Sequence, residues 1–338
     1  VEPGLVNARP NWTVFCWTAL PLAALYAATA ARAVTGEDSG ELITAAHQLA
    51  VAHPPGYPLW LLLTKAFQFL FSGVSVAHAS ALASGVTTAA ACGLLGVVAV
   101  RLGLGALPSV VVGLLSGLVH EIWNHATIAE VYPLALLLFV AGILQLLRWR
   151  EQPTLRRWFV LTLVLGTGVA HHPLLLLFGP FFAIAAVAAH PRVALHWKSA
   201  LVAVLGLALP FLVYLQAWYA AAHEPALSWG LKPELASLAA HWNREVYGLG
   251  PAKTARTLAK LGAQFAALGR FVVDNLTLPG ALLALVGTVH FFRRGDFAAR
   301  VIAALAVVGA PILLVVLPFD LEREELFAAR VFFMPAYL

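Results

Sequence analysis

Nine apolar stretches, most near the roughly 17–25 residues that a bilayer's hydrocarbon layer demands of a helix, govern what this chain can fold into. They lie at about 12–33, 80–100, 106–122, 132–148, 157–172, 174–189, 199–221, 272–291 and 301–318. Most carry no polar face, which excludes amphipathic helices covering a water-soluble core. A mean hydropathy of +0.85 and a charged fraction of 11% give the same class, an all-α polytopic membrane protein. The run 58–72 is short and carries Lys65, so it reads as a juxtamembrane helix along the interface, not a crossing. Cys16 and Cys92 both fall in apolar runs and read as small buried hydrophobes, neither disulfide nor metal site. The net charge of +5 is spread over short loops with no basic cluster of interleaved aromatics. The expected partner is therefore a lipid bilayer and not nucleic acid.

The charges orient the spans. The connector Arg148–Arg157 holds four arginines and is expected on the cytoplasmic side. Counting spans from it puts Arg9, Arg101, His190–Lys198 and Phe292–Arg300 on that same side. Five segments then share the opposite face: Thr35–Ser80 with the first outer loop at 34–80, Glu121–Glu130, His171–His172, the long loop His223–Arg270, and Asp320–Leu338. Most polar residues able to do chemistry lie in those five. Carboxylates beside membrane spans are costly unless they face water or a polar cavity, so they mark a site by default.

The densest group is TGEDSGELITAAHQLAVAHPPGY at 35–57. Asp38 and Glu41 are three apart and share a face if the segment is helical. The same D-x-x-E pattern is a capping box, in which Asp38 would bond the Glu41 N–H and Glu41 would reach back. A general base needs an ionised carboxylate within reach of the acceptor proton, and Asp38 suits that role; Glu37 reads as a solvated neighbour. His53 to Pro58 forms a rigid corner, with His53 and Tyr57 placed to touch a sugar or phosphate. His125 and Glu130, after His120, Glu121 and Asn124, would form a second polar wall; a carboxylate favoured by a helix dipole is the plain alternative. The pair His171–His172 would point about 100° apart on a helix, so a shared metal is not expected. No other metal-ligand spacing occurs, and no cofactor is expected. In the stretch 227–250, Trp229 offers a stacking face, Arg244 a phosphate partner, and His241 a further polar contact. A snorkelling interfacial helix is the plain reading there.

The motifs DSGELITAA (38–46) and AHPPGYPL (52–59), followed by AEVY (129–132), S-W-G…H…R-x-x-Y-G (228–248) and FFMPAYL (332–338), resemble the protein O-mannosyltransferase-like membrane family. That family includes an animal transmembrane enzyme acting on IPT domains, and bacterial relatives. The resemblance implies a GT-C glycosyltransferase fold, to which the apolar runs above give about nine transmembrane helices. It implies a polyprenyl-phosphate sugar donor, with mannose the candidate sugar, and transfer with inversion to a protein or glycan hydroxyl on the extracytoplasmic side. Asp38 matches the expected base, with Glu41 its partner; Arg244 and Arg330 are the candidates to meet the leaving phosphate, and no metal is implied. The composition points to a bacterial inner membrane. The chain starts without Met and reads as one GT-C-like module, 1–338, of a longer protein. A lipid-linked-sugar flippase and a non-catalytic scaffold are the rival classes. The first would need mid-span charges or an internal repeat, which the sequence does not offer.

Overall fold

The computed structural model describes residues 11–247, 257–294, 300, 301, 303–305, 330 and 334, and among them every regular element is helical. In chain order these are α1 (Trp12–Thr29), α2 (Ser39–Gln48), α3 (Pro58–Leu70), α4 (Val76–Arg101), α5 (Ala106–Gly117), α6 (His120–Ala126), α7 (Tyr132–Glu151), α8 (Leu155–His171), a 3-10 turn Pro173–Phe178, α9 (Gly179–Ala189), α10 (Pro191–Ala194), α11 (Trp197–Ala208), a second 3-10 stretch Leu209–Tyr214, α12 (Leu215–Ala222), α13 (Leu235–Trp242), a third 3-10 turn Glu245–Tyr247 and α14 (Leu258–Arg294). Side chains start several of them. Asn11 accepts from the Val14 N–H at 3.2 Å, Ser75 from His78 at 3.1 Å and Thr154 from Arg157 at 3.3 Å, each satisfying an orphan helix N–H. Proline sits in the first turn of α3, α7 and α9, where its missing N–H costs nothing.

Helix α4 is the axis of the bundle, packed on α1, α5 and α7. Small residues let the backbones close up, as is usual where lipid tails compete with side chains. A Cβ on Gly113 of α5 would stand 2.5 Å from Thr18 of α1, and one on Gly166 of α8 would stand 2.7 Å from the Gly206 carbonyl of α11. The main apolar core joins Phe139, Val140 and Trp149 of α7 with Leu161 of α8 and Phe182 of α9.

Among the described residues five helices are long and apolar enough to cross a membrane, or six if a bent pair counts as one. Several expected spans differ in form. The run 106–122 is broken: α5 and α6 meet at 71°, after the Gly117–Leu118–Val119 junction, so it is not a straight crossing. The run 174–189 opens as a 3-10 turn and restarts as α9 at Gly179, since Pro180 lacks the N–H that would bond the Leu176 carbonyl in one continuous helix. The loop placed at 223–270 ends early, since α14 begins at Leu258, and α14 itself kinks at Thr277, whose φ is 61°. The run 301–318 and the motif 332–338 lie almost wholly outside the described residues. Run 58–72 forms a helix of 13 residues, short as expected. Cys92 is buried, but Cys16 faces outward, against the expectation for both.

The bundle has two unlike ends. One gathers Arg101, Arg148, Arg150 and Arg157 around Glu151; the other gathers the loops before α2, α3 and α7 and the α8 terminus.

Candidate active site

Two helix starts and a corner assemble the site. Asp38 is the N-cap residue of α2 but makes no side-chain cap bond, so the capping box is not formed. Its backbone is in the right-handed region, with φ −84° and ψ −1°, not the extended conformation that aims a cap side chain at the helix N–H groups. Glu41 turns to the corner instead. Its Oε1 accepts from the His53 backbone N–H at 2.6 Å and from Trp229 Nε1–H at 2.8 Å, and His53 Nδ1–H donates to Oε2 at 3.1 Å. Burial by itself would raise the Glu41 carboxyl, but the bonds from His53 and Trp229 outweigh it and hold it below its ordinary value. With Nδ1 committed to Glu41, His53 Nε2 faces Asp38 Oδ2 at 3.6 Å, too far for a direct hydrogen bond. The Asp38 side chain is 54% exposed, against 21% for Glu41. Asp38, Glu41 and His53 each present a ligand atom within 4.8 Å of the others, a mixed O,O,N set that suits a divalent cation. Positions 38, 41 and 53 have no metal-motif spacing, so only the fold could bring this donor set together.

The corner that carries His53 is pinned from behind. His241 Nε2 lies 3.1 Å from the Ala52 carbonyl and against Gly56. Tyr214 Oη–H reaches the Pro55 carbonyl at 2.9 Å, and Gln216 donates to the Leu49 carbonyl at 2.8 Å. His241 is therefore a support for the corner, at 7% exposure, and does not line the carboxylate cluster as its sequence position promised. His171 is likewise structural: fully buried, its Nε2 stands 3.0 Å from the Val131 carbonyl.

From the corner, rings run in unbroken contact. Trp229 meets His53 (centroids 6.1 Å), His53 meets Tyr57 (5.1 Å), Tyr57 meets His172 (5.7 Å), His172 meets Tyr132 (5.5 Å), and Tyr132 meets His125 (5.5 Å). At the far end His125 Nε2 lies 3.7 Å from Glu121. Arg330 stands 3.8 Å from Glu121, 4.0 Å from Asp274 and 5.1 Å from the Phe271 ring centre. Arg244 lies over Tyr247 at 5.0 Å, and its charge opposes the burial that raises the Tyr57 hydroxyl. Arg330 thus stands at the His125–Glu121 end of the ring series, while the charge of Arg244 acts on its middle, at Tyr57 and His172.

Glu130 closes the floor. Ser84 Oγ accepts from the Glu130 N–H at 3.2 Å and donates to its carbonyl at 3.3 Å, while Ser39 Oγ donates to the Ala129 carbonyl at 3.1 Å. These bonds tie α2, α4 and the loop before α7 together. The Glu130 side chain is 1% exposed and its Oε1 has no hydrogen-bond partner among the described residues. Burial first, then the charges of Glu37 and Asp38, push its pKa well above the usual carboxylate range. Glu37 is exposed, as a solvated neighbour should be; partial burial still raises its carboxyl, and His125 opposes that rise.

Among the described residues, seven non-glycine positions have positive φ, and four belong here: Glu37 at 58°, Tyr57 at 46°, Trp229 at 50° and Arg244 at 61°. Side chains in this region carry strain that the surroundings must hold, and such residues concentrate at functional sites. Tyr132 and Glu121 complete the site, yet sequence reasoning assigned neither a role. Tyr132 lay in the quoted AEVY motif, and its place at the start of a span was the available signal.

Residues 38–194 match the family described as the N-terminal domain of the protein O-mannosyl-transferase TMEM260. A mouse protein O-mannosyl-transferase TMEM260 is 48% identical over 81 residues, 24% of this chain and 10% of that protein. A Dictyostelium discoideum protein of the same name is 50% identical over 46 residues, 14% of this chain and 6% of that protein. The matched stretches thus span a tenth or less of these curated relatives. No solved structure matches. The motif resemblance is borne out for the protein O-mannosyl-transferase-like family, animal members included.

Proposed function

We propose that this chain, similar over residues 38–194 to the protein O-mannosyl-transferases, is the membrane module of an inverting GT-C glycosyltransferase. It moves mannose from a polyprenyl-phosphate donor to a protein or glycan hydroxyl on the extracytoplasmic face. The observation that carries this reading is the division of labour between two carboxylates. Glu41 spends its lone pairs on His53 and Trp229, while Asp38 is open to solvent and makes no cap bond. Asp38 takes the proton of the acceptor hydroxyl, and the acceptor oxygen attacks the anomeric carbon. The bond from that carbon to the phosphate oxygen breaks, and the polyprenyl phosphate leaves with the electron pair. Glu41 and Trp229 fix His53 beside the base. Arg244, next to Tyr57, meets the charge that grows on the departing phosphate.

The Glu41–His53 Nδ1 bond also supports a second assignment, with His53 Nε2 as the base. The experiment is sugar transfer from radiolabelled polyprenyl-phosphate mannose to membrane acceptors, comparing wild type with Asp38→Asn and His53→Gln. With Asp38 as base, Asp38→Asn lowers kcat by about 10²–10⁴, and His53→Gln lowers it less. Full activity in Asp38→Asn overturns the assignment. No transfer by wild type, with other polyprenyl-phosphate sugars also tried, overturns the function.

A further inference from the structure

Beside the polar cluster lies a cavity of about 430 Å³ between α7, α8, α9 and α11. Leu138, Leu161, Leu165, Leu175, Phe178 and Phe182 wall it. The one hydroxyl on its wall, that of Thr162, is satisfied within its own helix by the Trp158 and Phe159 carbonyls at 3.0 Å. A pocket with no free polar atom holds neither a sugar nor a headgroup; it holds hydrocarbon.

Three features narrow the occupant. The lining follows α8 from Trp158 to Val169, about 16 Å at the helical rise, so the cavity is a slot along the bundle. Its side is open, because Leu176 and Leu207 on its wall are 52% and 43% exposed and Ala183 is exposed as well. A chain can therefore enter sideways from the lipid. Its upper end meets the candidate site. Leu175 donates its N–H to the His172 carbonyl at 3.0 Å, and the Leu174 N–H donates to His172 Nδ1 at 3.2 Å. That second bond puts the imidazole proton on Nε2. Nε2 is buried, has no hydrogen-bond partner among the described residues, and belongs to the ring touching Tyr57 and Tyr132. An N–H donor at the head of a dry slot suits a lipid whose single apolar tail ends in an anionic group.

We infer that the α7–α8–α9 slot seats the prenyl chain of the lipid-linked donor, with the phosphate beside His172 and the sugar over Tyr57 and Asp38. This rests on the donor class proposed above. A two-tailed phospholipid is the poorer occupant, since it would leave its headgroup in the carboxylate cluster and a second tail outside the slot.

The test uses the full chain in phosphatidylcholine nanodiscs and a polyprenyl phosphate with a diazirine on its tail. Labelling is expected on peptides holding Leu165, Leu176 and Ala183. The double variant Gly179→Leu/Ala183→Trp narrows the slot; a Cβ on Gly179 meets nothing within 4 Å and Ala183 is exposed, so the fold is expected to survive, with the thermal transition as the check. In this variant labelling is lost and KM for a long-chain donor rises about tenfold, while KM for a donor cut to two isoprene units (about ten carbons, too short to fill a slot of about 16 Å) and kcat for both stay put. Labelling elsewhere, labelling untouched by the variant, or equal competition by a phospholipid overturns the seat. If wild type labels in the slot but transfers no sugar, the seat stands and the chemistry falls; transfer that ignores the variant does the reverse.

Discussion

The two ends of the bundle handle charge in opposite ways. At the basic end the charges are spent on one another and on helix-end carbonyls. Glu151 pairs with Arg101 and lies 3.7 Å from Arg157; Arg157 also donates to the Arg148 carbonyl, and the His190 ring stands 2.7 Å from the Arg150 carbonyl. Arg148 and Arg150 lie in the last turn of α7 and Arg101 in that of α4, where the dipole favours cations, and Arg157 reaches back from the start of α8 to the end of α7. At the other end the polar atoms are not used up. Glu130 Oε1, His172 Nε2 and His125 Nδ1 are buried without a hydrogen-bond partner among the described residues, and four side chains hang on left-handed backbone. Unmet buried polar groups cost stability and call for an explanation. Every buried carboxylate or imidazole atom without a hydrogen-bond partner among the described residues lies at this second end, which marks it as the end that meets a ligand.

That contrast can be broken by mutation. Glu151→Gln should cost the most stability, about 3 kcal/mol, because it leaves buried Arg101 without its carboxylate, and it should leave sugar transfer per folded molecule unchanged. A thermal transition in detergent beside a transfer assay checks both, and a loss of kcat would erase the distinction between the ends. Trp229→Phe should do the reverse. It removes one hydrogen bond that holds the Glu41 carboxylate against His53, so kcat should fall roughly tenfold or more through lost positioning, and because Trp229 is exposed the cost in melting temperature should be small.

The smallest effect concerns pH. The folded pKa of Glu130 is raised, so between the unfolded value, about 4.3, and the folded one the native state holds a proton the unfolded chain releases. Stability contributed by Glu130 is present below that window and is lost as pH rises through it. Glu130→Gln should therefore match wild type at pH 4 and be the more stable of the two by about 1 kcal/mol or more at pH 8. A difference that shrinks with rising pH would mean Glu130 is ionised in the fold. Glu41, held low, has the opposite sign: its contribution is present above the unfolded pKa and is lost as pH falls through the folded one.

The spans were legible because apolar length is a local property: α1, α4 and α7 fall within a few residues of their runs. The breaks were less so. The α5–α6 bend has no proline to announce it, and Thr277 kinks α14 two residues before Pro279. In the site, Asp38, Glu41 and His53 stood out as charges in an apolar chain. Their bonding did not, because the D-x-x-E pattern carries two meanings, and the choice between them is made by Trp229, 188 residues away from Glu41. His241 and Tyr132 show the same limit from both sides. One polar ring went to a backbone carbonyl behind the corner and the other into the ring series, and no local pattern separates those fates.

The left-handed backbone at Tyr57, Trp229 and Arg244 has a practical corollary. Glycine or asparagine would relax the backbone at each position by about 1–2 kcal/mol, but at buried Tyr57 the lost packing outweighs that gain, so anyone selecting heat-tolerant versions of this protein for crystallography should see changes gather first at Trp229 and Arg244. The sturdier molecules would be the poorer catalysts, and the positions where endurance and turnover part company would draw the outline of the substrate.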